Sequence, residues 1–136
     1  MSVIEKDLNP DTYIGIALPL RHGNEGFFSK TKTTLEQLKY DIKNLLLTVR
    51  GERLGNPTFG SDLRRILFEP NTDDIDSAIE ESIRSSMSEW LPSVNVSNIE
   101  ITKPEANPHL VNVRLLFTVD VSAEEAEVKL DLNSNF

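Results

Sequence analysis

The sequence predicts an α+β protein: three helices packed on a small antiparallel meander, with an N-terminal edge strand or arm. Three observations carry that class. Apolar residues recur at three-and-four spacing from Leu35 to Val49 and again from Ile75 to Trp90, the pattern of helices buried on one face. From Val94 onward the period drops to two, as in strands that turn alternate side chains to a core. No linker is long enough to separate domains, so residues 13–136 are expected to form one domain behind a flexible arm, residues 1–12.

Taken in order, residues 1–12 are polar and contain Asn9-Pro10. Tyr13 to Leu20 is apolar and β-branched, hence a strand, but Pro19 cannot donate to a ladder and confines it to an edge or a strand end. Residues Gly23 to Gly26 read as a turn. Thr33 or Thr34 can cap the first helix, whose buried stripe is Leu35, Leu38, Ile42, Leu45, Leu46 and Val49, and Gly51 ends it within a residue or two of Arg50. Asn56-Pro57 disfavours helix, Gly60 permits a sharp turn, and Ser61 caps a short helix with Leu63, Ile66 and Leu67 inward that stops at Pro70. Asn71 or Thr72 then caps a third helix with Asp73, Asp74 and Asp76 in its first turn, where the helix dipole favours negative charge. Its core face reads Ile75, Ala78, Ile79, Ile83, Met87 and Trp90.

Three strands follow. Val94, Val96, Ile99 and Ile101 alternate with a one-residue slip at Asn98 that fits a bulge. Val111 to Val121 alternates without a break, Ser122 to Glu125 reads as a turn, and Val128, Leu130 and Leu132 form the last strand. Short connections make these an antiparallel meander.

Composition narrows function. Twenty-two acids against fourteen basic residues leave a formal charge of −8, which excludes a surface built for phosphate backbones, so no nucleic-acid partner is expected. The chain has no cysteine, hence no disulfide or thiolate site. Its start lacks the pattern of a signal peptide, and no apolar run approaches the ~18 residues of a membrane span. A soluble, unexported protein without membrane insertion is the expectation.

Residues 50–70 depart from the acidic background: Arg50, Arg53, Arg64 and Arg65 fall within one turn-rich stretch, with Glu52, Asp62 and Glu69 between them. Glu69 is out of place electrostatically, because a carboxylate in the last turn of a helix meets the negative end of its dipole. It is either solvated or held by a cation, from Arg50, from Arg53 or from a partner. His22 and His109 sit in loops away from any paired carboxylates, and neither nucleophile, dinucleotide nor zinc motifs occur, so no cofactor or metal is expected. Two carboxylates suffice for glycoside hydrolysis, which keeps a cell-wall glycosidase using Glu52 or Glu69 as the alternative reading. The exposed edge of the C-terminal strands supplies a different chemistry, since an unpaired edge accepts or donates a strand.

The run LLLTVRGERLGNPTFGSDLRRILFEP resembles the signature of the baseplate wedge proteins of contractile phage tails, the family of gene product twenty-five, also related to a baseplate component of type VI secretion systems. The resemblance spans roughly residues 13–132 and rests on a helix ending in Arg-Gly-Glu-Arg, then Asn-Pro, Phe-Gly and Phe-Glu-Pro. It implies a non-enzymatic virion protein of the tail baseplate, assembled in the host cytoplasm, that joins the inner baseplate and starts sheath polymerisation through its C-terminal strands. Its implied partners are other baseplate wedge proteins, the tail sheath protein and, as a further contact, the tail tube. The implied contact residues are Arg50, Glu52, Arg53, Arg64, Arg65, Glu69 and Pro70, with Val128, Leu130 and Leu132 on the last strand. Many relatives carry Glu-Pro-Arg where this chain has Glu69, Pro70 and Asn71, so Asn71 replaces the arginine. Some family members are described as lysozyme-like.

Overall fold

A computed structural model describes residues 3–18, 20–24, 26–69, 74–107, 109–120 and 122–133. The chain divides into two compact units, Met1–Asn44 and Leu45–Phe136, with the boundary inside a helix. Expected Pro19, Pro70, Asn71, Thr72 and Asp73 lie outside the described residues.

In the first unit, Val3–Leu8 forms a short helix, α1, where the sequence reads as an arm, which raises the helix count from three to four. Its Asp7 carboxylate accepts from the backbone N–H and the hydroxyl of Thr34, at 2.9 and 2.8 Å. The apolar stretch after it contributes only β1 (Gly15–Ile16), paired antiparallel with β2 (Lys30–Thr31) so that Gly15 faces Thr31. This pair is a separate two-stranded sheet and not an edge of the meander. Thr33 caps α2 (Thr34–Leu47), its Oγ accepting from the N–H of Glu36 at 3.2 Å. Helix α2 buries Leu38, Ile42, Leu45 and Leu46 as its spacing predicts, but stops at Leu47, three residues before Arg50. Beyond it Thr48 and Val49 are drawn into backbone contact with Ser61, which a continuing helix would forbid.

The second unit holds α3 (Leu63–Phe68), α4 (Ile75–Trp90), β3 (Val94–Thr102), β4 (Leu110–Val119) and β5 (Ser122–Asn133). The strand order is β3-β4-β5, all antiparallel, with the expected bulge between Val96 and Asn98. Strand β5 begins at Ser122, where the sequence reads as a turn: Ser122 pairs with Val119 after a second register shift between Thr118 and Val119, and Val121 lies outside the described residues. Val111, Val113, Leu115, Phe117 and Val119 of β4 are buried together with Ala126, Val128, Leu130 and Leu132 of β5. Ile79, Ile83 and Met87 of α4 and Leu63 of α3 are equally buried. At roughly 1.5–3 kcal/mol for each large side chain taken out of water, this face is the unit's main source of stability.

The opposite face of the sheet is polar. Arg114 on β4 stands opposite Glu100 of β3 and reaches both Glu100 at 3.2 Å and Glu127 of β5 at 2.9 Å. Hydrogen bonding and charge from Arg114 hold the Glu127 carboxyl below its usual range, and Glu127 in turn raises Arg114. Lys129 is a second partner for Glu127 at 3.3 Å.

Candidate functional site

The basic, turn-rich stretch folds as an elbow between α2 and α3. Two glycines make it possible. Gly51 has φ +90°, and its N–H donates to the carbonyl of Pro57 at 2.7 Å, closing the outer loop. Gly60 has φ +124°, and a Cβ there would lie 2.5 Å from the carbonyl oxygen of Thr48, so the close approach of the two chain segments requires glycine. The Ser61 N–H then donates to that same carbonyl at 2.9 Å. Ser61 is expected as the cap of α3, yet its hydroxyl donates to the Leu46 carbonyl at 2.7 Å, and Asp62 takes the cap position without a side-chain bond. Ser86 of α4 donates to the Gly60 carbonyl at 3.2 Å, fastening the elbow to α4.

Charges reinforce it. Arg50 lies 3.7 Å from Asp62 and 3.6 Å from Glu89 of α4, while Arg65 lies 3.6 Å from Asp62. These pairs are partly exposed and each contributes about 0–1 kcal/mol. Arg50 is thus paired within the subunit while its side chain stays partly exposed. Arg53 stacks over Phe59 with its guanidinium carbon 4.2 Å from the ring centroid, and Phe59 packs edge-on against Trp90 at 5.1 Å. Glu52 accepts from the N–H of Val49 at 3.1 Å.

The remaining contact residues differ in exposure, and Pro70 lies outside the described residues. Arg64 borders an apolar cleft of about 140 Å³ lined by Leu46, Leu47, Leu63, Leu67 and Leu132. Glu69 is exposed at the end of α3 with ψ 141°, the extended conformation imposed on a residue before proline, and no salt bridge among the described residues involves it. Val128, Leu130 and Leu132 turn their side chains into the subunit's core, leaving only the backbone of β5 for a partner. Among the described residues no strand pairs with the outer edge of β5 or of β3.

Sequence reasoning overlooked Leu54, which is 99% exposed at the tip of the elbow, and the Arg53–Phe59–Trp90 stack behind it. An apolar residue between Gly51 and Gly55 signalled the first; nothing in local spacing pairs Phe59 with Trp90. Among the described residues no group of three or more His, Cys, Asp or Glu side chains could hold a metal, and no helix is long and apolar enough to cross a membrane.

Residues 32–125 match the family described as baseplate wedge protein gp25. No curated protein matches the chain. Among solved structures, the fold is similar to a protein of Geobacter sulfurreducens described as a candidate tail lysozyme, at TM-score 0.70 and 18% identity, covering 78% of this chain and 96% of that one. A chain of the anti-feeding prophage baseplate is similar at TM-score 0.58 and 18% identity, covering 89% and 85%. A chain of the post-contraction pyocin R2 baseplate is similar at TM-score 0.50 and 20% identity, covering 82% and 96%.

Proposed function

Because the chain belongs to the baseplate wedge protein gp25 family of contractile tails, we propose that it is a non-enzymatic wedge component that joins neighbouring baseplate proteins through its elbow and starts sheath assembly through β5. The observation that carries the sheath half of this reading is the outer edge of β5, a strand of 12 residues that pairs with β4 on one side and with no strand on the other among the described residues. Buried Val128, Leu130 and Leu132 anchor that strand to its own subunit, so an incoming sheath strand is bound by main-chain hydrogen bonds while the subunit stays intact. Arg53, Arg64, Arg65, Glu69 and Leu54 form the outward part of the elbow.

Hydrolysis has less support. The cleft beside the elbow is lined by five leucines and Arg64, with no carboxylate. Glu52 is spent on a backbone N–H, and Glu69 stands in the open. A glycosidase needs two carboxyl groups ~5–10 Å apart flanking a bound sugar.

Hydrogen exchange tests the strand reading. Amides of β5 that point away from β4 should exchange fast in the isolated protein and become protected in sheathed tails. Equal exchange in both states rules out strand addition at β5, and turnover of peptidoglycan by the purified protein rules out the non-enzymatic assignment.

A further inference from the structure

A second charged site lies in the first unit, away from the elbow in sequence and serving none of the roles above. Antiparallel pairing of β1 with β2 sets Thr31 inward, fully buried, with its hydroxyl donating to Gln37 Oε1 at 2.6 Å. Strand alternation then throws Lys30 and Lys32, on either side of Thr31, to the outer face. Both ammonium groups converge on one ring: Lys30 Nζ is 4.5 Å and Lys32 Nζ 5.3 Å from the centroid of Tyr13. The frame beneath is held by backbone bonds, Ile14 N–H to the Thr31 carbonyl at 2.9 Å, Ala17 N–H to Ser29 at 2.9 Å and Ser29 N–H to Arg21 at 2.8 Å.

These side chains line a cavity of about 230 Å³ together with Gly23, Asn24, Phe28 and Ser29. No salt bridge among the described residues neutralises either lysine, although the whole chain carries −8. Two like charges drawn to one ring repel, and an anion seated between them removes that repulsion. The cavity is smaller than the roughly 300–1,000 Å³ of drug-sized ligand sites, so it suits a single side chain better than a nucleotide or cofactor. Its walls combine two cations, the neutral polar Asn24 and Ser29, and the rings of Tyr13 and Phe28, while the adjoining Phe27 is 85% exposed.

We propose that the Tyr13–Lys30–Lys32 cavity binds a carboxylate side chain of a partner protein, from an acidic segment that also carries an apolar or aromatic residue. The lysines hold the carboxylate by charge, and Phe27 and Phe28 cover the neighbouring apolar group. This contact is independent of the β5 edge and adds a separate point of attachment.

The test uses the full chain labelled for NMR at low salt, where surface charges are screened least. The probes are the blocked peptide acetyl-Phe-Glu-Glu-amide, its Phe-Gln-Gln counterpart and inorganic phosphate. The acidic peptide should give saturable shifts at Tyr13, Asn24, Lys30 and Lys32, with the glutamine peptide at least tenfold weaker. A Lys30→Gln/Lys32→Gln variant, whose exposed side chains leave the Thr31 bond intact, should keep its thermal midpoint and lose the shifts. Absence of saturable shifts overturns the proposal. Phosphate binding as tightly as the acidic peptide also overturns it, by showing a general anion site without preference for a protein segment.

Discussion

The Ser61 hydroxyl donates to the carbonyl of Leu46 at 2.7 Å, joining the last turn of α2 to the entry of α3 across fifteen residues. The carbonyls of a helix's last turn have no partner within the helix, and this one is buried. Ser61→Ala leaves it unsatisfied and should cost about 1–3 kcal/mol in urea unfolding at unchanged m-value. A loss under about 0.5 kcal/mol, the range of ordinary surface changes, shows that the hydroxyl does not hold the elbow.

The two elbow glycines separate conformational strain from collision. Both have positive φ, but a Cβ at Gly51 meets nothing within 4 Å, whereas at Gly60 it meets the Thr48 carbonyl. Gly51→Ala should cost about 1–2 kcal/mol and Gly60→Ala roughly 3 kcal/mol, read by thermal or chemical denaturation. Equal losses show that the Thr48 segment yields.

Glu127 makes part of the stability depend on pH. Its carboxyl titrates lower in the folded protein than the ordinary glutamate value of about 4.5, chiefly through its hydrogen bond to Arg114. The resulting stability is present above that value and is lost as pH falls through the folded one. Arg114, shifted upward, stays charged throughout. The stability difference between wild type and Glu127→Gln should therefore be constant near neutrality and shrink below about pH 4.5. A difference that stays constant to pH 3 removes Glu127 as its source.

Arg53→Ala with Glu69→Ala tests the elbow as a contact. Arg53 loses its stack on Phe59, worth about 0.5–1 kcal/mol, and Glu69 is exposed, so unfolding should remain cooperative. Incorporation into baseplates should fail. Normal tails from this variant reject the elbow as an interface.

Leaving Val128, Leu130 and Leu132 untouched in such experiments matters, because their burial in the core makes removal of the last strand a folding defect before it is an assembly defect. The alternation of those residues was plain in the sequence. That they face their own subunit, so that only main chain is left at the edge, depends on the β4–β5 register.

Periodicity alone determined α2, α4 and the three strands, since a buried face imprints its spacing on the residues that form it. The motif alone determined the family. Helix α1 escaped because six residues are too few to show a helical period, and the true end of α2 escaped because Gly60 and Ser61, far along the chain, compete for Thr48 and Leu46. Only tertiary structure brought Arg50 to Asp62 and Glu89, set Arg53 on Phe59 and brought Lys30 and Lys32 together over Tyr13. Charge pairs and ring contacts of this kind arise from the three-dimensional meeting of turns and strands, and local spacing holds no record of them.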